Sequence, residues 1–343
     1  MPGKNSFTKP FFWLALALLV ALLVNLAFGS ADIPPTVLFD LMFGKSGIPE
    51  SWKYIILDYR LPKSATSIII GVGLSLSGLL MQTLFRNPLA GPFVLGISSG
   101  ASLGAAVLIL GGAFMGPILG NILMSDVALV LASSLGSFLV LAVVLLISAK
   151  LRDVMALLIV GLMFGSITSA LVTVMASFSS AEQLQQFIFW SYGSTGNLSW
   201  RQVGLLGAIC CLALIPTIGL IKALNALMLG ENYAQTMGVS LRRLRLLLIG
   251  ITGLMAGSIT VFAGPIAFVG LAVPHLTRTW LGTSDHRILV PGVCLVGGIL
   301  MLLCDTLAQW PFSDFILPIN AVTSIVGAPV VIGLLLRKNK LRF

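Results

Sequence analysis

Long uncharged apolar runs alternate with short polar stretches along the chain, and this pattern predicts membrane-spanning helices. A span needs about 20 apolar residues. The two longest runs, 246–277 and 87–125, contain helix breakers. Gly264-Pro265 divides the first into two helices, and a Pro/Gly-rich NPLAGP turn and Gly111-Gly112 leave one helix in the second. The pattern therefore predicts an all-α polytopic membrane protein with about ten transmembrane helices, in one domain covering residues 1–343. The apolar runs are 11–29, 64–85, 87–125, 127–149, 154–181, 202–221, 246–277, 288–304 and 315–336.

The composition agrees with a chain surrounded by lipid. Hydrophobic residues make up 57% of the 343 and charged residues 9%, whereas soluble domains average about 25% charged. The net charge of +9 does not indicate nucleic-acid binding, because the basic residues flank apolar runs and form no basic face with aromatic residues. All four cysteines lie inside apolar runs, so we expect core side chains and no metal site.

The lysines and arginines predict how the chain is oriented. An even number of spans places both termini on one side, and both tails are basic. With both termini in the cytoplasm, fifteen of the twenty Lys/Arg residues lie inside, as the positive-inside rule requires. We therefore predict a multi-pass membrane protein with both termini in the cytoplasm. The five basic residues left outside are Lys45, Lys53, Arg60, Lys63 and Arg201.

One polar interval interrupts the second half of the chain, from Lys222 to Arg245. Its pattern predicts two short helices, residues 224–229 and 234–241, separated by a break at Gly230-Glu231-Asn232. A membrane protein that keeps a sizeable polar segment on its cytoplasmic side commonly uses it to contact a soluble partner. We interpret residues 224–241 as the docking element for a cytoplasmic motor.

The two halves of the chain resemble each other weakly. Residues 73–100 and 250–278 each contain a Gly/Ser-rich helix, then Ala-Gly-Pro, then another apolar run. The predicted topology runs them in opposite directions, which is typical of the inverted repeats of transporters. Glycines spaced four apart, such as Gly100 and Gly104, permit close helix packing, and packing within one bundle is favoured over a dimer face.

No chemistry of its own is visible in the chain. Gly44-Lys45-Ser46 resembles the end of a phosphate-binding loop, but Phe39 occupies the position of the required first glycine. We therefore predict a protein that is not an enzyme and holds no cofactor. Asp305 is the one acid clearly within a late span, where it either pairs across a helix contact or relays protons. The alternative function is an ion-coupled carrier or channel for a small solute, although such proteins use several acids in mid-membrane.

Six stretches in order resemble the FecCD-type permeases of bacterial ABC importers for iron-siderophores, haem and cobalamin. The resemblance covers nearly the whole chain from Arg60, and the set in order is specific. The stretches are RLPKSATSIIIGVGLSLSGLLMQTLFRNPLAGPFVLGISSGASLG, FWSYGSTGNLSWRQ, LGENYAQTMGVSLRRLR, AGPIAFVGLAVPHLTR, SDHRILVPG and LPINAVTSIVGAPVVIGLLLR.

The resemblance implies an assembly in the bacterial inner membrane, arranged around a central pathway. It consists of two permease copies, two ABC ATPase subunits in the cytoplasm and a periplasmic or lipoprotein substrate-binding protein outside. Pairing with a paralogous permease instead of a second copy stays open, as does the chelate carried. The implied ATPase-coupling residues are Leu229, Gly230, Glu231, Ala234, Met237, Gly238 and Val239.

The resemblance also assigns a gate and a docking site. The fifth helix, with Gly161 and Gly165, and the tenth helix line the pathway. Arg60 and Lys63 are expected to meet acidic residues of the binding protein, and Gln309 occupies the position where relatives often carry a third cation. The implied gate residues, in a position where relatives often have small hydroxyl residues, are Arg152, Asp153, Val154 and Met155.

Overall fold

A computed structural model describes residues 8–29, 31, 33–45, 47–111, 126–151, 153–309 and 316–336. Every regular element in these ranges is helical, which confirms the predicted all-α class. In chain order the first elements are α1 (Thr8–Ala27), α2 (Pro35–Met42), α3 (Glu50–Tyr54), a π-helical turn (Ile55–Arg60), α4 (Leu61–Phe85), a 3-10 turn (Pro92–Leu95), α5 (Ile97–Ile109), α6 (Asp126–Lys150) and α7 (Val154–Ser177). Those that follow are α8 (Ala181–Ser191), α9 (Trp200–Met228), α10 (Glu231–Thr236), α11 (Leu241–Ala263), α12 (Val269–Leu281), α13 (His286–Ala308) and α14 (Ile319–Leu336).

Each of the ten predicted spans corresponds to a helix, but their lengths differ. Seven helices of the described ranges are long and apolar enough to cross a membrane, and α5 and α14 are shorter apolar helices. Like α5, α12 has only 13 residues. At 1.5 Å per residue, such a helix covers about 20 Å, less than the roughly 30 Å of a membrane core.

Two segments differ from the sequence predictions. The interval 30–63, between the first two apolar runs and therefore predicted to connect two spans, is largely helical where described. It contains α2, α3 and the π-helical turn, and the turn runs directly into α4. Residues 224–229 do not form a separate short helix, since α9 continues to Met228 and ends beside Gly230. The second short helix begins at Glu231 and ends at Thr236, so one short helix replaces the predicted pair.

The chain forms two compact units. The first unit contains residues 1–76, 194–210 and 267–343, and the second contains residues 77–193 and 211–266. Within the first unit, α13 packs on α1, α12 and α14. It also crosses α4 so closely that a methyl group added at Gly71 would lie 2.2 Å from the carbonyl oxygen of Gly297.

In the second unit, α5 packs against α6 along the glycines predicted for close contact. A methyl group at Gly104 would lie 2.0 Å from the carbonyl oxygen of Ala132, and one at Gly100 would lie 2.5 Å from that of Gly136. These glycines therefore serve packing inside the second unit, the interpretation that the sequence favoured.

Candidate functional site

The coupling segment, defined here as residues 229–241, contains α10 between two glycines. Gly230 precedes α10 with φ +116, and Gly238 follows it with φ +82. Residues with a Cβ rarely adopt this backbone region, so glycine is required at both ends for the chain to turn. The two glycines separate α10 from the long helices α9 and α11, and seven residues lie between them.

The coupling segment exposes three large side chains, which together are called its exposed row. Leu229, Tyr233 and Met237 are 68%, 50% and 60% exposed. Tyr233 lies within α10, Met237 directly follows its last residue, and Leu229 precedes Gly230. Ala234 points the other way and is fully buried. Aromatic residues and methionine are enriched in protein interfaces, so this exposed row suits a protein partner.

The predicted gate residues lie at the start of α7. Asp153 caps the helix, because its carboxylate accepts a hydrogen bond from the backbone N–H of Met155 at 2.9 Å. Met155 is about half exposed. Val154 begins the helix, and Arg152 lies outside the described residues.

Gly161 and Gly165 lie on the packed side of α7. A methyl group at Gly161 would lie 1.9 Å from the carbonyl oxygen of Val94 in the 3-10 turn. At Gly165 the nearest atom is Oγ of Ser99, at 3.4 Å. The structure thus gives Gly161 a packing role, and its place along a pathway stays a prediction.

The exposed side of α7 carries both apolar and hydroxyl side chains. The hydroxyls of Ser166, Thr173 and Ser177 each donate to the backbone carbonyl four residues earlier, at 3.2, 2.8 and 2.9 Å. Because these hydroxyls are satisfied by their own helix, the surface is only mildly polar.

The predicted docking cations Arg60 and Lys63 are buried in the first unit, 5% and 7% exposed. Arg60 ends the π-helical turn, and its guanidinium donates to the carbonyls of Leu26, Ala27 and Ala31 at 2.9, 3.0 and 2.6 Å. Two of these carbonyls belong to the last turn of α1, which has no intrahelical donors for them. Arg60 therefore caps α1 with a positive charge.

Lys63 belongs to a buried polar cluster, defined here as Asn25, Arg60, Lys63, Ser64, Thr195, Asp305 and Gln309. Its ammonium lies 3.5 Å from Oδ1 of Asp305. The same carboxylate accepts hydrogen bonds from Thr195, from Nδ2 of Asn25 at 2.9 Å and from Nε2 of Gln309 at 3.0 Å. Asn25 in turn accepts from the hydroxyl of Ser64.

These contacts identify the partners of Asp305 that the sequence left open. A buried carboxylate needs a cation and several donors to offset its desolvation, and the cluster supplies both. Among the described residues, the partners of Arg60 are neutral carbonyls, so the three charged residues of the cluster sum to one positive charge.

Several residues of these sites were missed by sequence reasoning. Tyr233 is an aromatic residue inside the predicted docking element, and this was the available signal. Thr195 lies in the stretch FWSYGSTGNLSWRQ but had no role assigned to it, and Asn25 lies outside the quoted stretches. Only the fold brings these two residues to Asp305.

Comparison with known proteins adds the family. Residues 17–337 match the model of the FecCD transport family. The chain is 36% identical over 332 residues to the vitamin B12 import system permease protein BtuC of Klebsiella pneumoniae, covering 96% of this chain and 93% of that one. It is also 36% identical over 345 residues to the hemin transport system permease protein HmuU of Yersinia pestis, covering 96% and 97%.

A solved structure shares the fold. A metal-chelate type ABC transporter in an inward-facing conformation superposes with a TM-score of 0.82 at 31% identity, covering 96% of this chain and 99% of the other. The sequence and the structure therefore agree on one assignment, with the coupling segment, α7 and the buried polar cluster all inside the matched region. This chain belongs to the FecCD transport family.

Proposed function

We propose that the chain is the permease subunit of an ATP-driven importer that carries a bulky chelate of the iron-siderophore, haem or corrinoid class into the cytoplasm. The similarity to a vitamin B12 permease and a hemin permease over almost the whole chain supports this class of cargo. The exposed row on the coupling segment is the observation that carries the proposal, because it offers a partner three large, exposed side chains on and beside the short helix α10.

The partner at this row is a cytoplasmic ABC ATPase, one subunit for each permease copy. Leu229, Tyr233 and Met237 enter a cleft of the ATPase, while buried Ala234 seats α10 on its own chain. Closure of the ATPase around the helix then moves the permease. This mode is helix-in-groove recognition, in which one apolar face supplies the anchors.

Two permease copies enclose the pathway, and α7 and α14 supply its walls. The exposed side of α7 combines apolar groups with hydroxyls that bond to their own helix. Such a surface offers a large chelate little to bind, which favours passage over retention. Both termini lie in the cytoplasm, as the distribution of basic residues predicts.

A substrate-binding protein delivers the chelate on the outer face. The net positive charge of the buried polar cluster attracts acidic residues on the binding protein, and the low exposure of Arg60 and Lys63 requires those acids to approach closely. Charges of this kind mainly raise the association rate, so docking should slow as salt is added.

The coupling segment can be tested by truncating its exposed row. Tyr233→Ala and Met237→Ala should each weaken ATPase association by about thirtyfold or more, because loss of a central interface anchor costs about 2 kcal/mol or more. Affinity of the purified permease for its ATPase is the measurement. Gln235→Ala is the matched control, since Gln235 is an exposed polar residue of the same helix. Unchanged affinity in both variants would place the ATPase elsewhere.

The cargo and the energy source are tested by reconstitution. The permease, its ATPase and its binding protein are placed in liposomes, and uptake of an iron-siderophore, haem and cobalamin is measured with and without ATP. Uptake of one of them only with ATP is expected. Uptake driven by an ion gradient without ATP would instead support the ion-coupled carrier.

A further inference from the structure

Two arginines of the second unit connect the coupling segment and the helix after it to neighbouring connections. Glu231, the first residue of α10, has a carboxylate oxygen 3.9 Å from Nη2 of Arg86. One turn into α11, Arg245 donates from Nη1 to the backbone carbonyl of Leu151 at 2.9 Å. The first contact reaches the connection between α4 and α5, and the second reaches the connection between α6 and α7.

The backbone at Arg86 is unusual for a residue with a side chain. Arg86 has φ +46, a left-handed conformation that glycine adopts far more easily. It ends α4 in a Schellman turn, in which the N–H of Arg86 donates to Thr83 at 3.3 Å and that of Asn87 to Gln82 at 3.1 Å. Strained backbone of this kind persists at functional sites. An arginine at this position therefore indicates that its side-chain contact offsets the cost of the left-handed backbone.

Arg245 differs from the two arginines that precede it. Arg242 and Arg243 are exposed, whereas Arg245 is only 8% exposed. Leu151 immediately follows the last residue of α6, where a cation is favoured by the helix dipole. A buried guanidinium has a rigid, planar set of donors, so its hydrogen bond fixes direction as well as distance.

We propose that Arg86 and Arg245 are positioning residues that transmit movement of the coupling segment to the connection 86–96 and to Leu151 and Asp153, between α6 and α7. The inference rests on the proposed function, in which an ATPase moves α10. Only Val239 and Ser240 separate Gly238 from the start of α11, so a displacement of α10 also moves the start of α11. The Arg86–Glu231 contact holds α10 itself, and the Arg245–Leu151 contact holds the start of α11. Asp153, which belongs to the predicted gate, lies two residues after Leu151, so a push on α10 reaches the start of α7 through these side chains.

The proposal predicts that variants lose coupling while they keep ATP hydrolysis. In liposomes with the ATPase and the binding protein, uptake of the chelate per ATP hydrolysed should fall about tenfold in Arg245→Ala, the size expected for a lost hydrogen bond to a charged group. ATPase association and basal hydrolysis should stay at wild-type values. Arg243→Ala, an exposed cation two residues away, should leave the ratio unchanged.

Arg86→Gly separates a coupling role from a structural one. Glycine suits the left-handed backbone, so thermal stability should not fall, yet uptake per ATP should fall because the contact with Glu231 is gone. Charge exchange offers a second arm: Arg86→Glu should lower the ratio, and Arg86→Glu with Glu231→Arg should restore part of it. Wild-type uptake per ATP in both Arg86→Gly and Arg245→Ala would overturn the proposal.

Amide hydrogen exchange of the permease alone tests the Arg245 contact without any transport. Arg245→Ala should speed exchange in residues 151–156, and Arg243→Ala should not. Exchange unchanged by Arg245→Ala would overturn the link to this connection, even in a complex that transports. Absence of ATP-driven uptake by the wild-type complex would contradict the proposed function instead, so the two failures can be told apart.

Discussion

Asp305 takes its polar partners from distant parts of the chain. Lys63 lies on α4, Asn25 on α1 and Thr195 in the connection before α9, while Gln309 directly follows the end of its own helix. Because all four groups meet one carboxylate, the buried polar cluster joins segments of the first unit that are far apart in sequence. A cluster of this kind stabilises only while every member keeps its partner.

Removing the carboxylate should therefore cost more than removing the ion pair as a whole. Asp305→Ala leaves the buried ammonium of Lys63 without its counter-charge, and loss of one partner of a buried pair costs about 3–5 kcal/mol. Adding Lys63→Met removes the stranded charge and should restore much of the lost stability. The apparent melting temperature of the purified permease in detergent is the measurement.

The exposed pair Lys45–Asp40 supplies the control for this cycle. Its lysine side chain is 67% exposed, and exposed pairs contribute about 0.2–1 kcal/mol, so Lys45→Met should barely change the melting temperature. A double variant no more stable than Asp305→Ala alone would show that the Lys63 charge is not what the carboxylate offsets.

At the scale of helices, the apolar runs predicted which helices exist and in what order better than they predicted where each helix ends. The run 246–277 was divided correctly at Gly264-Pro265, because proline cannot donate a backbone hydrogen bond and glycine takes φ +75 there. The end of α9 was misplaced, because Gly230 alone turns the chain and Glu231 already belongs to α10.

The sequence pattern did not predict that two charged side chains, Arg60 and Lys63, would be buried. A basic residue beside an apolar run is normally solvated, and this rule placed Arg60 and Lys63 at the outer surface. Their burial depends on acceptors elsewhere in the chain: carbonyls at the end of α1 for Arg60, and Asp305 for Lys63. Pairings over such sequence separations leave no local pattern.

Two glycines of α7 give a matched test of helix packing. A methyl group at Gly161 would meet the carbonyl oxygen of Val94 at 1.9 Å, so Gly161→Ala must push α7 away from the 3-10 turn. Overpacking costs about 1–3 kcal/mol, and backbone contacts relax less than side chains. Gly165→Ala meets its nearest atom at an ordinary 3.4 Å and should gain up to about 1 kcal/mol from helix propensity.

Melting temperatures of the two variants should thus move in opposite directions. Because both variants carry the same substitution on the same helix, differences in expression or detergent would not explain opposite shifts in melting temperature. Equal shifts would mean that α7 is not held against the 3-10 turn as the structure has it.

For the whole molecule, one experiment at the predicted gate tests both the orientation of the chain in the membrane and the movement of the gate. Met155 is half exposed at the start of α7, and apolar side chains can close a pore by excluding water. A cysteine at this position should react with a membrane-impermeant thiol reagent from the cytoplasmic side, and ATP should change the rate in the complete complex. Cys211 is the one native cysteine that is exposed, so Cys211→Ser provides the background.

Ser177→Cys at the other end of the same helix is the matched position. α7 has 24 residues and is about 35 Å long at 1.5 Å per residue, so its two ends lie on opposite sides of a membrane core of about 30 Å. Ser177 is exposed and should react only from outside. Reaction of Met155→Cys with the reagent added outside would contradict the proposed orientation. A cytoplasmic rate that ATP leaves unchanged would keep the orientation but argue against a moving gate at the start of α7.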